Sequence, residues 1–286
     1  MKAMITGAGG QLAGALVAAA PAGWTLTALS RAELDIADEG AVANAVSALA
    51  PDLILNTAAY TAVDRAESEA AAAFAANRDG PRHIAKAARA AGARLIHVST
   101  DFVFDGRSGR PYRPSDPTGP LGVYGASKLA GEEAVREAAP EALIVRTAWV
   151  YGASGANFPR TMLRLMAERP QVRVVADQIG CPTATPDLAA ALWALAASDA
   201  GGVLHYAGAG AASWYDFAVA IAEEAVAAGV LAAAPPVIPI ATADYPTPAA
   251  RPSYSVLDCR ETYAMLGAPA RHWRVALRAV LRSMAA

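Results

Sequence analysis

A buried strand that runs straight into a glycine-rich turn and then a helix restricts the fold of this chain more than any other feature. Ala3–Thr6 reads as the strand, and Gln11–Ala20 as a helix ended by Pro21. Between them lies Thr6-Gly7-Ala8-Gly9-Gly10-Gln11-Leu12-Ala13. Glycines in such a turn let the backbone approach a pyrophosphate, whose charge is met by the helix N-terminus; alanine can fill the third, packing position of the motif. Gly7, Gly9, Gly10, Gln11 and Leu12 are therefore candidate cofactor contacts. The same string would also serve as an ordinary strand-to-helix turn, so its neighbours along the chain must decide.

Those neighbours alternate. Strands at Trp24–Leu29, Leu53–Asn56, Arg94–Ser99 and Leu143–Thr147 are separated by helices at Glu39–Leu49, Ala71–Ala91 and around Tyr124. Strand–helix alternation at this spacing implies right-handed crossovers and a parallel sheet covered on both faces, an α/β doubly wound Rossmann-like fold. After about Val150 proline and glycine breaks multiply. Short strands at Val172–Val175 and Val203–Tyr206 part helices at Asn157–Glu168, Pro186–Ala197 and Trp214–Ala228. The predicted division is a dinucleotide-binding domain over 1–150 and a smaller, interleaved lobe over 151–286, mainly substrate-binding, with some segments returning to the sheet. The segment from Tyr245 to Pro252 reads as an ordered loop, because its prolines remove backbone donors and fix φ.

Composition excludes several functions. At 286 residues, 55% hydrophobic and 17% charged, the chain can bury a large core and carries no disorder signature. A net charge of −2 without a basic run argues against nucleic acid as a partner. No apolar run reaches the ~18 residues of a membrane span. Two cysteines without metal-ligand spacing, and an N-terminus that enters the fold without a signal peptide, suggest a reducing cytoplasm. No His/Cys/Asp cluster suggests a metal.

The chemistry is carried by Tyr124 and Lys128. Residues four apart share a helix face, so an ammonium can stand beside the phenol and favour its ionised form, drawing its pKa down toward the range of a general acid or base. The chain has nine tyrosines but few lysines, and a chance match of this spacing alone is not negligible. Upstream, the hydroxyls of Ser99 and Thr100 follow an apolar strand, with Asp101 next in line. A strand-end hydroxyl, a Tyr/Lys pair on the next helix and a glycine-rich first turn point together to hydride transfer with a nicotinamide cofactor. The end of the second strand, where a carboxylate favours NAD and a basic residue NADP, carries Ser30 and Arg31. That favours NADPH, with NADH use possible because Glu33 and Asp35 follow. Asp35 and Ile36 are candidates for the adenine pocket, and Ala58, Ala59, Tyr60 and Thr61 for the cofactor ribose. Arg251 is a candidate clamp for a phosphate group or a structural ion pair. Trp149 either stacks on a ring or caps the core, and His97 reads as a core residue.

With these residues in view the chain resembles the extended short-chain dehydrogenase/reductase family over nearly its whole length. The matching strings are Gly7-x-x-Gly10-Gln11, the run from Asn56 to Glu67, Ser99 to Phe104, Tyr124-x-x-x-Lys128-x-x-Gly131-Glu132, Arg146 to Tyr151, Asn157-Phe158, Asp177 to Thr183, and Tyr245 to Pro252. The strings beyond residue 140 are the specific ones. They resemble those of members that reduce the C4 keto group of a thymidine-diphosphate sugar. The resemblance implies that Tyr124 protonates the C4 oxygen, Lys128 holds the nicotinamide ribose and Thr100 bonds the carbonyl. It implies that Asp101, Trp149, Asn157 and Arg251 seat the nucleotide-sugar substrate. Tyr60, where histidine is common, and Tyr254, where asparagine is common, depart from the pattern. Relatives that serve as non-catalytic regulatory subunits of a methionine adenosyltransferase, and sugar-nucleotide epimerases, are the alternatives. Some similar enzymes form magnesium-linked dimers through a glutamate on the first helix. Ala15 stands there, so the expectation is a metal-independent monomer or weak homodimer.

Overall fold

The computed structural model describes residues 1–285. Its centre is a six-stranded, all-parallel sheet built from β1 (Lys2–Thr6), β2 (Thr25–Leu29), β3 (Leu53–Asn56), β4 (Arg94–Thr100), β5 (Leu143–Thr147) and the strand Gly202–His205. In space the order runs Gly202–His205, β5, β4, β3, β1, β2. The chain therefore winds one way from β1 to β2 and the other way from β3 onward. The strand ends diverge between β1 and β3, which opens a crevice there.

Both faces of the sheet are apolar because both are covered. Ile5, Leu55, Ile96 and Val145 point to one side, where α1 (Gln11–Ala18) and α8 (Thr185–Ala196) supply Leu12, Leu16, Leu188 and Leu192. Met4, Ile54, Leu95 and Ile144 point to the other, against Val42 and Val46 of α2 (Glu39–Leu49), Ile84 of α5 (Gly80–Ala91) and Val135 of α6 (Val123–Ala138). Strands buried on two faces read as continuous hydrophobic runs, which is why β1 and β3 to β5 were plain in the sequence. A second core joins α7 (Phe158–Glu168), α9 (Trp214–Ala227) and α11 (Trp273–Ala285) around Phe217, Ile221 and Leu277. This smaller lobe also holds the parallel pair Val172–Val175 and Val237–Ile240. No helix among the described residues is long and apolar enough to cross a membrane.

The predicted helical segment over Ala71–Ala91 is helical throughout, from Ala70, with one irregularity. It is α4 (Ala70–Phe74), a π-helical turn at Ala75–Asp79, and then α5. The cause is Asn77. Its side-chain oxygen accepts from Tyr60 N at 2.8 Å and its amide donates to Tyr60 O and Ser127 Oγ, both at 3.0 Å. Its backbone oxygen would lie 1.9 Å from a Cβ at residue 131, so only Gly131 allows α6 so close. The widened turn turns Asn77 inward to the loop after β3. A one-turn helix, α3 (Val63–Ala66), and the C-terminal α10 (Arg260–Leu266) and α11 had no counterpart in the sequence reading.

Candidate active site

A cavity of about 860 Å³ opens at the carboxyl ends of the strands, between the sheet and the smaller lobe. Its floor is the glycine turn. Gly7 takes φ +79°, the left-handed region that favours glycine, and a Cβ there would lie 3.0 Å from the Ala58 backbone. A Cβ at Gly9 would meet nothing within 4 Å. Helix α1 begins with no side-chain cap and no acidic residue in its first turn, and Gly9, Gly10, Gln11 and Leu12 line the cavity. An uncapped helix N-terminus facing an open, glycine-floored space suits a pyrophosphate.

The residues predicted to carry the chemistry share the same cavity, which Thr100, Asp101, Tyr124 and Lys128 line with Trp149 and Arg251. Their scaffold is a buried ion pair. Arg146 Nε and Nη2 donate to the two carboxylate oxygens of Glu132 at 2.8 and 2.6 Å, and Ser99 Oγ donates to Glu132 Oε1 at 2.5 Å. This ties β4 and β5 to α6, one residue before Thr100 on β4 and one turn after Lys128 on α6. Below it Thr6 Oγ1 bonds Asn56, whose amide meets His97 Nδ1 at 3.0 Å. Burial, reinforced by the Lys128 charge, drives the His97 pKa well down, so the ring is a neutral core residue.

The expected coupling of Lys128 to Tyr124 is corrected by the geometry. Lys128 Nζ donates to the Val98 carbonyl at 2.8 Å. The Tyr124 phenol is pushed up to about 12, not down. Burial is the main cause, the nearby Asp101 carboxylate adds to it, and the Thr100 hydroxyl opposes it. A phenol with that pKa is a neutral proton donor at any physiological pH, which suits an acid that protonates a developing alkoxide. Burial lowers Lys128 to about 8, against the pull of Glu132. Burial also raises Asp101 to about 6, with the Ser255 and Thr100 hydroxyls working the other way. Asp101 lines the cavity, but its Oδ2 is itself buried and has no hydrogen-bond partner among the described residues.

Several of the other predicted positions lie off the wall. Ser30 donates through its N–H and hydroxyl to Glu33, at 2.8 and 2.7 Å. Arg31 is 84% exposed, with only a 3.7 Å approach to Asp35. Ile36 is buried against Gly80, where a Cβ would come within 2.6 Å of it. Ala59 and Thr61 line the cavity, whereas the Tyr60 hydroxyl turns to Glu69 at 2.6 Å. Asn157 caps α7, accepting from Arg160 N at 3.1 Å, and donates to Gly152 O and Gln11 Oε1. Its side chain is thus spent on structure, and its neighbour Phe158 lines the cavity instead. Arg251 meets Asp64 end-on, Nη1 to Oδ1 and Nη2 to Oδ2, each at 2.7 Å. Ala15 is half-buried and packs against the core beside α8. Among the described residues no three His, Cys, Asp or Glu side chains could hold a metal ion.

The sequence reading missed Trp214. Its ring lies 3.4 Å from that of Trp149 and parallel to it within 1°, and both line the cavity. Trp149 takes φ +47°, rare for a bulky residue. A Cβ on residue 180 would sit 2.4 Å from its indole, so Gly180 in the Asp177–Thr183 string makes room for the ring. No periodicity announces such a stack, since its partners lie 65 positions apart.

A parallel sheet with a glycine turn at β1 and a Thr/Tyr/Lys group lining one cavity with it is the arrangement of a dinucleotide-dependent short-chain dehydrogenase/reductase. The chain belongs to the family described as the RmlD substrate binding domain, whose model matches residues 1–286. A dTDP-4-dehydrorhamnose reductase of Mycobacterium tuberculosis is 49% identical over 292 residues, covering 99% of this chain and 93% of that protein. One from Streptomyces griseus is 48% identical, covering 96% and 91%. The crystal structure of a Bacillus anthracis dTDP-4-dehydrorhamnose reductase in complex with NADP superposes with a TM-score of 0.93 at 35% identity, covering 99% of both chains.

Proposed function

We propose that this protein reduces the C4 keto group of dTDP-4-dehydro-L-rhamnose to give dTDP-L-rhamnose, using NADPH. The observation that carries the reading is that Thr100, Tyr124 and Lys128 line one cavity together with the uncapped α1 N-terminus and Arg251. NADPH, when bound, supplies the hydride to C4. Gly9, Gly10, Gln11 and Leu12 receive its pyrophosphate, Ala59 and Thr61 its ribose, and Lys128 its nicotinamide ribose. Thr100, whose hydroxyl donates to Asp101 Oδ1 at 3.1 Å, turns its proton to the ketone oxygen once substrate binds, and the neutral Tyr124 phenol gives that oxygen its proton as the C4 alcohol forms. Asp101 accepts from a sugar hydroxyl, Trp149 covers the sugar face, and Arg251 grips the diphosphate. Asn157 supports the site by holding α7 to Gln11.

The test is spectrophotometric: NADPH oxidation on addition of dTDP-4-dehydro-L-rhamnose, with the product checked for L-rhamnose. Nucleotide binding without turnover would instead identify a non-catalytic regulatory subunit, and reduction of a different keto sugar another reductase. The uncharged side chains of α1, with Ala15 half-buried, offer no oxygen ligand for a metal bridge, which supports a metal-independent monomer or weak homodimer. Light scattering beside the activity assay should be unchanged by EDTA. A dimer that EDTA dissociates, with activity lost in step, would reject that proposal.

Arg31 supports NADPH over NADH, since its guanidinium is exposed and held only weakly by Asp35. Arg31→Ala should raise KM for NADPH about tenfold more than KM for NADH, the equivalent of one charge-assisted hydrogen bond at ~1.4 kcal/mol. Equal changes for both cofactors would make it a surface residue only.

A further inference from the structure

We propose that α3 is a positioning element serving both halves of the reaction, with Asp64 holding Arg251 in place for the substrate diphosphate and Glu67 fixing the helix that carries Tyr124. The inference rests on the reading of Arg251 given above. Helix α3 follows the loop that carries Ala59 and Thr61, and its first residue, Val63, lines the cavity with them. Ala66 is fully buried and anchors the turn. The two carboxylates reach in different directions from this one turn.

Asp64 reaches the proline-fixed loop. Besides the two guanidinium bonds at 2.7 Å, its Oδ1 accepts from Ala249 N at 3.2 Å. Arg251 Nη1 donates to Ala249 O at 2.7 Å as well. Both Nη groups are thus committed, and the guanidinium plane is fixed with its Nε edge making no hydrogen bond among the described residues. The Asp64 carboxyl is held below its usual range, chiefly by Arg251, so it is a carboxylate at neutral pH. A flexible arginine loses side-chain entropy when it grips phosphate; one already held flat by a carboxylate loses less.

Glu67 reaches α6. Its Oε1 accepts from Val123 N at 2.8 Å, the first helical N–H, one residue before Tyr124. The capping residue Gly122 makes no side-chain cap of its own, and a Cβ there would lie 2.6 Å from Glu67 Oε1. Glu67 therefore substitutes from another element for the missing cap, placing negative charge at the positive end of the helix. On the other flank Glu69 accepts from the Tyr60 hydroxyl at 2.6 Å, which returns the turn to the cofactor-side loop.

Steady-state kinetics and titration with dTDP separate this role from a purely structural one. Asp64→Asn should raise both KM for the nucleotide sugar and Kd for dTDP about tenfold, the loss of one charge-assisted contact, with kcat nearly unchanged. In Arg251→Ala the same change at Asp64 should add nothing further. If Asp64→Asn binds dTDP as tightly as the parent, or more tightly because a competitor of phosphate has gone, the positioning role is wrong even where Arg251→Ala still weakens binding. If Arg251→Ala leaves dTDP affinity intact, the diphosphate reading itself falls. Glu67→Ala should lower kcat about tenfold, the scale of a small misplacement of a catalytic group, without altering Kd for dTDP. Glu67→Gln, which keeps the acceptor oxygen, should restore kcat. A Glu67→Ala variant that melts earlier yet keeps its kcat would show the contact to be structural alone.

Discussion

Tyr124→Phe should lower kcat for NADPH-dependent reduction by ~10²-fold or more, the usual contribution of a positioned general acid, or at least ~2.7 kcal/mol of the barrier. The ring stays, and with it the edge-to-face contact with Phe102 at 5.4 Å. Binding of NADPH and of dTDP should therefore remain close to that of the parent. What leaves is the one neutral hydroxyl that burial holds at a pKa of about 12 beside Thr100. A phenol this weakly acidic does not yield its proton to a ground-state ketone; it yields it to the alkoxide that forms as hydride arrives, so the loss belongs to kcat more than to KM. Rapid-mixing measurement of NADPH oxidation at saturating substrate would show it. A variant that turns over at a near-normal rate would mean that solvent or Lys128 delivers the proton.

How much of this could be read beforehand follows from where the information sits. β1, β3, β4 and β5 were legible because their residues report on their own surroundings, as apolar runs buried on two faces. The glycine turn and the Tyr124/Lys128 spacing were legible for the same reason. The orientation of Lys128 was not, because its partner is a backbone carbonyl at Val98, and every residue has one. Nor was the π-helical turn at Ala75–Asp79, which depends on Asn77 meeting Tyr60 and Ser127 across 17 and 50 positions. Arg251 shows the limit from another side. The sequence offered a phosphate clamp or an ion pair as alternatives, and the fold makes it an ion pair with Asp64 that also faces the cavity. Asn157 looked like a substrate contact, but a polar residue just before a helix start is first of all a cap.

The largest expected change in stability lies at Glu132. Its carboxylate is fully buried, and it takes three hydrogen bonds, two from Arg146 and one from Ser99. The Arg146 guanidinium also lies 5.1 Å over the Phe104 ring and is itself almost wholly buried. Glu132→Ala would leave that charge with no counter-ion and Ser99 with no acceptor, so unfolding free energy should fall by about 3–5 kcal/mol. Removing a surface partner gives the contrast. Arg164 and Glu168 pair at 3.0 Å with more than half of each side chain exposed, and Glu168→Ala should cost about 0–1 kcal/mol. Since the cost comes from an orphaned charge, taking away both charges should hurt less than taking one: Glu132→Leu with Arg146→Met should unfold at higher urea than Glu132→Ala alone. Urea titrations of the three variants and the parent decide it. If the double variant is the least stable, the pair is holding the sheet to α6 by its own attraction, and the buried network of Glu132, Arg146 and Ser99 is worth more than the desolvation of its ions.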